Sequence, residues 1–415
     1  MNSVSTLNTI EEENKSKMVD KRKCSYMAAR TRPIYFRRCK RTMSKTIKIE
    51  SLPDEIILEI LVRVPAEDIY NSVKLVCRKW YKMIHTRNFI YTHLHQQPHV
   101  LLAQYLGNRF LISRGKKDLI ETSELNCYLK HEVMSSCNGL VLETKDNTTI
   151  DLYITNPATK QRFALPPFMT NGAPFSYAIA YVAASMEYKV VRTVITGLDV
   201  FKAGEYKRDD CVVVLTVGVD KDWTRRVSIQ HLCSKARNLL FRQKPLTTDG
   251  FVHWVRDAYS EYVLTLNLET EIITPFLVPT FLPRHEGYTD LMYRYLPMGK
   301  YLSLLVDVTR FSWEVWKMKP ESGEWTKMCN IDLEPEFACT SYCVLTPHGW
   351  LKFGEELIFS VRRGNGNGNG HAKRCYAEIC IAYNVRTRKY EPFELTPNLN
   401  SFLVHRNSLV WLDGC

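Results

Sequence analysis

The segment YVLTLNLETEIITPFLVP, residues 262–279, shows the pattern that decides the fold of this chain. An apolar run is followed by a short polar turn, and a second apolar run follows the turn. Two runs rich in β-branched and aromatic residues, joined in this way, predict a β-hairpin. The same plan recurs in LYITNPATKQRFALPP (152–167), SIQHLCSKARNLLFRQKP (228–245), WEVWKMKPESGEWTKMCNI (313–331) and CIAYNVRTRKYEPFEL (380–395).

Each of these predicted turns ends in a hydroxyl residue, namely Thr159, Ser234, Thr270, Ser322 or Thr387. Such hydroxyl groups bond the local backbone, so we expect them to stabilise the corners. The turns begin at 156, 231, 267, 319 and 384, and their average spacing is near the ~50 residues of one propeller blade. The sequence therefore predicts a mainly β fold, with a β-propeller of about six blades over residues 97–415. The alternative is a two-sheet β-sandwich with long insertions.

A different pattern precedes this region in SLPDEIILEILVRVPAEDIYNSVKLVCRKWYKMI, residues 51–84. Ser51 is suited to cap a helix that begins with a proline and two acids. Ile56, Ile57, Ile60 and Leu61 then form an apolar stripe on that helix. We expect three helices here, the second with Ile69, Val73 and Val76 on one face and the third with Trp80. So small a helical head, placed within 48–96, needs a neighbour to bury its apolar surface.

The net charge of +12 is concentrated at the N-terminus, because residues 1–48 hold 13 Lys and Arg against 4 Asp and Glu. Residues 1–47 have no apolar periodicity, and we expect them to be disordered. Their two basic clusters have the spacing of a bipartite nuclear import signal, with a solvated charged tail as the alternative. The residues of the clusters are Lys21, Arg22, Lys23, Arg37, Arg38, Lys40 and Arg41.

Composition excludes several classes of protein. No run reaches the ~18 apolar residues of a membrane-spanning helix, and the first residues lack the pattern of a secretory signal. The 13 cysteines are scattered and lie mostly in apolar runs, which favours reduced, buried thiols. We therefore expect a cytoplasmic or nuclear protein, or one present in both places, with no membrane partner.

The chain shows none of the common hydrolase, metalloprotease or phosphate-binding motifs. Cys339 and Cys343 near His348, and Cys375 and Cys380 near His371, have loosely metal-like spacing. Neither group contains the CxxC pair of a zinc ribbon, and alternate positions on a strand point to opposite faces. We expect no metal, no cofactor and no catalytic residues.

The helical head resembles the F-box, through LPDEIILEILVRVP and the later VCRKWYKMI. This resemblance implies that the head docks on the Skp-type adaptor of SCF-type ubiquitin ligases and, through the adaptor, on a cullin. It also explains how the head could bury its apolar surface, since the neighbour that it needs would be the adaptor. The implied adaptor-binding residues are Leu52, Pro53, Ile56, Ile57, Ile60, Leu61, Val64, Pro65, Ile69, Val76 and Trp80. The alternative is that the stripe packs on the β region.

The remainder is similar to the plant F-box-associated interaction region with its kelch-like propeller, through SCNGLVL (136–142), NPATKQRFALPP (156–167), DGFVHWV (249–255) and residues 262–279. The resemblance implies a non-catalytic subunit that recognises a protein substrate for ubiquitination, with unknown substrate-binding residues. One alternative is a ligand-binding or enzymatic propeller with an incidental head. Another is nucleic-acid binding through residues 21–41; we do not expect it, because the body of the chain is nearly neutral and this reading leaves the head unexplained.

Overall fold

The computed structural model divides into two units, residues 53–415 and Met1–Leu52, and the second of these is described only at Leu52. The basic tail predicted at 1–47 therefore lies outside the described residues. The structure describes residues 52–105, 108–115, 119–125, 129–145, 151–168, 173–195, 211–241, 244–256, 261–279, 293–337, 343–363, 378–395 and 401–410.

The described chain begins with a helical head. Its helices are α1 (Asp54–Leu61), α2 (Ala66–Asn71), a 3-10 turn (Val73–Leu75), α3 (Arg78–Ile84) and α4 (Arg87–Gln96). Helix α1 follows Pro53 and carries Asp54 and Glu55 in its first turn, as the sequence predicts. The Cys77 Sγ and the Thr86 Oγ1 cap α3 and α4 by accepting backbone N–H groups.

Two features of the head differ from the prediction. The second helix ends at Asn71, so Val76 does not share a continuous helical face with Ile69. Helix α4 was not expected, because RNFIYTHLHQ is mostly polar and buries only Phe89, His93 and Leu94. The His93 ring donates a hydrogen bond to the Val64 carbonyl over 2.8 Å. This bond joins α4 to the segment just after α1. The buried side chains of α4 complete the core of the head.

The rest of the described chain forms six antiparallel sheets of four strands. Blade 1 contains β1 (Val100–Tyr105), β2 (Asn108–Arg114), β3 (Ile120–Glu124) and β24 (Ser401–His405); blade 2 contains β4 (Glu132–Cys137), β5 (Leu140–Thr144), β6 (Leu152–Asn156) and β7 (Gln161–Ala164); blade 3 contains β8 (Ala173–Val182), β9 (Glu187–Ile195), β10 (Cys211–Thr216) and β11 (Arg225–Val227). Blade 4 contains β12 (Leu246–Thr248), β13 (Phe251–Trp254), β14 (Tyr262–Asn267) and β15 (Ile272–Leu277); blade 5 contains β16 (Tyr293–Met298), β17 (Tyr301–Thr309), β18 (Ser312–Met318) and β19 (Trp325–Asp332); blade 6 contains β20 (Cys343–Leu351), β21 (Glu356–Arg363), β22 (Glu378–Asn384) and β23 (Lys389–Leu395).

The sheets are arranged as the blades of a propeller. One strand from each sheet contacts its counterpart in the next, in the closed cycle β24, β4, β8, β12, β16 and β20. These six strands therefore surround a central axis, and the other three strands of each blade extend outward. The prediction of a mainly β chain with a six-bladed propeller is confirmed, and the two-sheet sandwich is not.

A buried apolar cluster lies between every pair of neighbouring blades. Strand β10, CVVVLT, shows why, because all six of its residues are buried. Val212 and Val214 join the cluster shared with blade 4, whereas Cys211, Val213 and Leu215 join the cluster shared with blade 2. Alternate side chains of a strand point to opposite faces. A central strand of this propeller therefore reads as a continuous apolar run.

The ring is closed by strands from opposite ends of the described chain. Strand β24 pairs with β1 in antiparallel register, from Val100 opposite His405 to Gln104 opposite Ser401. The junction with blade 6 also contains an ion-pair network. Arg114 pairs with Glu356 over 3.0 Å and with Glu391 over 2.5 Å, and Glu356 is nearly fully buried.

Four of the five predicted hairpins are confirmed as the third and fourth strands of blades 2, 4, 5 and 6. In three of them an asparagine ends the third strand, at Asn156, Asn267 and Asn384. Its side-chain oxygen accepts hydrogen bonds from the backbone N–H groups two and three residues ahead, over 2.8–3.3 Å. The asparagine carboxamide, rather than the predicted Thr hydroxyl, stabilises these three corners. The hydroxyl prediction is confirmed at Ser322, which accepts from the Glu324 N–H.

The fifth predicted hairpin is wrong. Residues 228–245 connect blade 3 to blade 4 and contain a helix, α5 (Ser234–Leu240). Cys233 caps this helix by accepting from the Ala236 N–H, and Leu239 and Leu240 pack into the cluster between the two blades. The cap and the burial of these two leucines outweigh the strand-like pattern of the segment, and the segment is therefore helical. A short helix of four residues, α6 (Glu334–Phe337), follows β19.

We expect Arg114→Ala to destabilise the propeller by about 3 kcal/mol, because it leaves the buried Glu356 carboxylate without its guanidinium partner. Chemical denaturation of the purified chain measures this loss. Arg63→Ala is the matched control, since Arg63 forms an exposed i,i+4 ion pair with Glu59 and should change the free energy of unfolding by less than about 0.5 kcal/mol. Equal effects of the two substitutions would contradict a role for Arg114 in closing the ring.

Candidate functional site

The head exposes a group of large apolar side chains, here called the apolar patch. Its members are Ile56 and Ile60 on α1, Leu75 and Val76 between α2 and α3, and Tyr81 on α3. Ile56 and Ile60 are one helical turn apart and so share a face. Leu75 is 74% exposed and Val76 is 57% exposed. Exposed apolar groups collected on one small element indicate a binding surface for another protein.

An ion pair brings the two parts of the patch together. Lys79, in the first turn of α3, pairs with Asp54, in the first turn of α1. The N-terminal ends of both helices are therefore adjacent, and Val76 lies just before one of them. Pro53, also exposed, lies just before the other. The patch thus combines residues that are about 20 positions apart in the sequence.

The structure divides the eleven predicted adaptor-binding residues into three groups. Pro53, Ile56, Ile60, Pro65 and Val76 are exposed; Leu52 and Val64 are half-buried; Ile57, Leu61, Ile69 and Trp80 are buried. The buried four hold the head together in this structure, and their direct contact with an adaptor stays a prediction. The sequence pattern does not single out Leu75 or Tyr81, because neither falls on a periodic apolar stripe.

The head contacts the propeller chiefly through α4. Leu94 lies in the cluster between blades 2 and 3, and its carbonyl accepts a hydrogen bond from Arg406 over 3.4 Å. The Tyr181 hydroxyl, at the end of β8, donates to the Tyr91 hydroxyl over 2.6 Å. The apolar patch belongs to α1, to α3 and to the segment between α2 and α3, so it is not used in these contacts.

The two faces of the propeller differ in the length of their connections. In a four-stranded antiparallel blade, the first and third turns lie on one face, and the second turn and the link to the next blade lie on the other. The first turns are short, at 138–139, 183–186, 249–250, 299–300 and 352–355. Helix α4 leads into the second strand of blade 1, so the head is on the same side as these turns. Strands β9, β11, β15 and β21 end on the opposite face, and each is followed by a longer stretch of sequence before the next strand begins.

One serine–histidine–asparagine array lies beside the propeller axis. The Ser136 hydroxyl contacts His405 Nδ1 over 2.7 Å, and His405 Nε2 contacts the Asn407 side chain over 3.2 Å. Burial lowers the pKa of His405 to about 4. So weak a base is poorly suited to activate a hydroxyl near neutral pH. The array joins β4 to β24 and therefore contributes to ring closure.

Among the described residues, no group of three or more His, Cys, Asp or Glu side chains could hold a metal ion. Of the sequence candidates, Cys343, His348 and Cys380 are described, and His348 contacts the Ser360 hydroxyl over 2.7 Å. Cys339, His371 and Cys375 lie outside the described residues, as do the basic clusters at 21–23 and 37–41. In the part of the chain that the structure describes, no helix is both long and apolar enough to span a bilayer.

These observations define a class: a six-bladed propeller that carries a small helical head with an unused apolar face. Comparison with protein families assigns both parts. Residues 49–97 match the F-box-like family, and residues 105–363 match the F-box associated beta propeller domain. The chain therefore belongs to the F-box proteins with an F-box-associated propeller, as the sequence resemblance implies.

Its relatives in Arabidopsis thaliana agree with this assignment. A putative F-box/kelch-repeat protein is 24% identical over 330 residues, which cover 68% of this chain and 72% of the relative. The F-box protein CPR1 is 25% identical over 318 residues, which cover 70% of this chain and 76% of the relative. The similarity to these relatives indicates a plant protein.

We expect stability to fall as the pH drops below about 6.5, the usual pKa of an unfolded histidine. Burial lowers the pKa of His253 to about 3 and that of His405 to about 4. The unfolded chain therefore binds protons that the native chain does not, and each such histidine should lower the free energy of unfolding by about 1.4 kcal/mol per pH unit. Above pH 6.5 both states are neutral and this effect is absent.

Chemical denaturation between pH 7 and pH 5 measures the slope. His253→Gln should reduce it, because His253 is replaced by a group that does not titrate; its hydrogen bonds are to Thr248 and Thr265. His95→Gln is the matched control, since His95 is exposed. An unchanged slope in His253→Gln would show that His253 does not cause the loss.

Proposed function

We propose that this protein is the substrate-recognition subunit of an SCF-type ubiquitin ligase. The helical head docks on a Skp-type adaptor, the adaptor binds a cullin, and the propeller holds a protein substrate. The chain itself catalyses no reaction. The observation that carries this proposal is the apolar patch, on a head whose contacts with its own propeller are made chiefly by another helix.

The composition of the patch supports docking on a protein. Ile56, Ile60, Leu75 and Val76 are aliphatic, and Tyr81 supplies an aromatic ring with a polar end. Such side chains, grouped together and removed from water by a partner, provide most of the free energy of a protein interface. The lysine–aspartate pair beside them, Lys79 with Asp54, is suited to a polar rim.

The arrangement of the propeller supports recognition of a substrate away from the head. Strands β9, β11, β15 and β21 end on the face opposite α4 and are followed by the longer stretches between strands, and loops held by a rigid scaffold are where binding residues are concentrated. A substrate bound there is tethered to the assembly that the head recruits. Tethering raises the effective concentration of acceptor lysines at the ubiquitin-conjugating enzyme. The function thus requires placement and no chemistry from this chain, in keeping with the low pKa of His405.

We expect Ile60→Asp combined with Val76→Asp to lower affinity for the adaptor at least tenfold, a loss of about 1.4 kcal/mol. Both side chains are exposed, so the variant should fold like the unsubstituted protein. The measurement is co-purification with a Skp-type adaptor, followed by titration. Val308→Asp is the matched control, because Val308 is 55% exposed and lies in blade 5.

Two results would overturn the docking proposal. One is a well-folded protein that does not bind the adaptor at all. The other is an Ile60→Asp/Val76→Asp variant that binds as tightly as the unsubstituted chain and Val308→Asp.

We also propose that the protein is present in the nucleus as well as the cytoplasm. The support is the pair of basic clusters, Lys21–Lys23 and Arg37–Arg41, in the N-terminal segment. Replacing Lys21, Arg22 and Lys23 by alanine should lower the nuclear share of a fluorescent fusion at least severalfold. Arg30→Ala/Arg32→Ala, between the clusters, is the control. A fusion that distributes identically in all three forms would exclude an import role for the clusters.

A further inference from the structure

A cleft of about 770 Å³ lies between the helical head and the propeller. One wall is α4, through Tyr91, Leu94 and His95. The other consists of the first turns of blades 3, 4 and 5, at 183–186, 249–250 and 299–300. Its volume is in the range of small-molecule binding sites, about 300–1,000 Å³. The cleft lies apart from the apolar patch, because none of the patch residues lines it.

The cleft continues toward the axis of the propeller. A second, smaller cavity of about 100 Å³ lies between the innermost strands. His99, Asn138, Asp249, Gly299 and Arg406 line both cavities. A Cβ atom placed on Gly299 would meet no other atom within 4 Å, so the floor of the cleft is open at this point.

Aromatic rings form much of the wall. Tyr91 and Tyr181 meet from opposite sides, with ring centroids 5.9 Å apart. Phe251 and Tyr301 lie on the propeller side. Such rings present negatively polarised faces, which attract cations within about 6 Å of the ring centre. Two lysines already make such contacts with Tyr301, since the Nζ atoms of Lys300 and Lys317 lie 5.3 Å and 5.0 Å from its ring centre.

The charges in the cleft favour the same kind of ligand. Three carboxylates line it, from Asp249, Glu269 and Glu321, against the two cations of Lys300 and Arg406. Arg406 donates to the Leu94 carbonyl and to His99, so it is held against the head. The cleft thus has a net negative charge in a chain whose overall charge is +12.

The glutamates of the cleft differ from their neighbours in the same turns. Glu271 pairs with Lys189, and Glu324 pairs with Lys319. Among the described residues, Glu269 and Glu321 form no ion pair of this kind. Glu321 also acts electrostatically on Lys319, whereas the Glu269 carboxylate is available to a bound cation beside the aromatic wall.

We propose that this cleft binds a ligand through an ammonium group, held between the aromatic wall and the carboxylates. Two sources carry this group, a free aliphatic amine and a lysine side chain on a peptide. The ligand would touch both α4 and the propeller turns, and so it would stabilise one position of the head relative to the propeller. This proposal does not depend on docking to an adaptor, because both walls of the cleft belong to this chain.

The test is calorimetric titration and thermal denaturation of the full chain with three probes. They are 1,6-diaminohexane, its uncharged counterpart 1,6-hexanediol, and a short peptide with one internal lysine. The diamine or the peptide should bind and raise the melting temperature, whereas the diol should do neither. Tighter binding of the peptide identifies a protein ligand, and tighter binding of the diamine identifies a free amine. Binding of neither cation, or equal binding of the diol, would overturn the proposal.

Two sets of variants locate the binding. Glu269→Gln/Glu321→Gln should weaken binding about tenfold, whereas Glu121→Gln/Glu394→Gln, on exposed strand positions outside the cleft, should not. Ala184→Trp fills the cleft from an exposed turn and should abolish binding, with Ala164→Trp on β7 as its matched control. If Ala184→Trp binds the probes like the unsubstituted protein, the ligand is not in the cleft.

Discussion

The closure of the ring is the constraint on which the rest of this structure depends. Each blade has two apolar faces, and each face is buried only if a neighbour is present on that side. A row of six sheets would leave two such faces in water, whereas a ring leaves none. The pairing of β24 with β1 turns the row into a ring, and the Arg114–Glu356 pair and the Ser136–His405 contact reinforce the same closure.

The head buries some of its large apolar side chains and leaves others exposed. Ile57, Leu61 and Trp80 are buried in it, α4 joins it to the propeller, and Ile56, Ile60, Leu75 and Val76 remain in water. A self-contained domain would not leave so much aliphatic surface exposed on so few residues. The exposed surface is therefore understandable as half of an interface, and the face opposite α4 is the proposed place of a second one. The two proposed binding functions therefore belong to one unit of the chain, residues 53–415.

The sequence predicts the parts of this molecule that repeat, and it fails where a single local interaction decides. The hairpins at Asn156, Asn267 and Asn384 could be predicted, because the pattern of strand, turn and strand recurs in the sequence. The segment 228–245 has a similar pattern, but the Cys233 cap and the burial of Leu240 make it a helix. In the head, the apolar stripe of α1 was predicted, but its division into buried Ile57 and exposed Ile56 was not, and the mostly polar sequence of α4 gives no periodic signal. The cleft between head and propeller has no sequence signature, since its walls come from eight separate segments.

The position of β24 also determines when this protein can fold. The strand that completes blade 1 is made by the ribosome about 300 residues after its partner β1. Until then blade 1 lacks its innermost strand, so the edge of β1 that pairs with β24 has no neighbour. Closure over so large a sequence separation is entropically costly and slow. The head precedes the propeller, and so it emerges first. A nascent chain would therefore be able to present its adaptor-docking surface well before it can present a finished propeller, which places its newest copies within reach of the degradation machinery that they are proposed to serve.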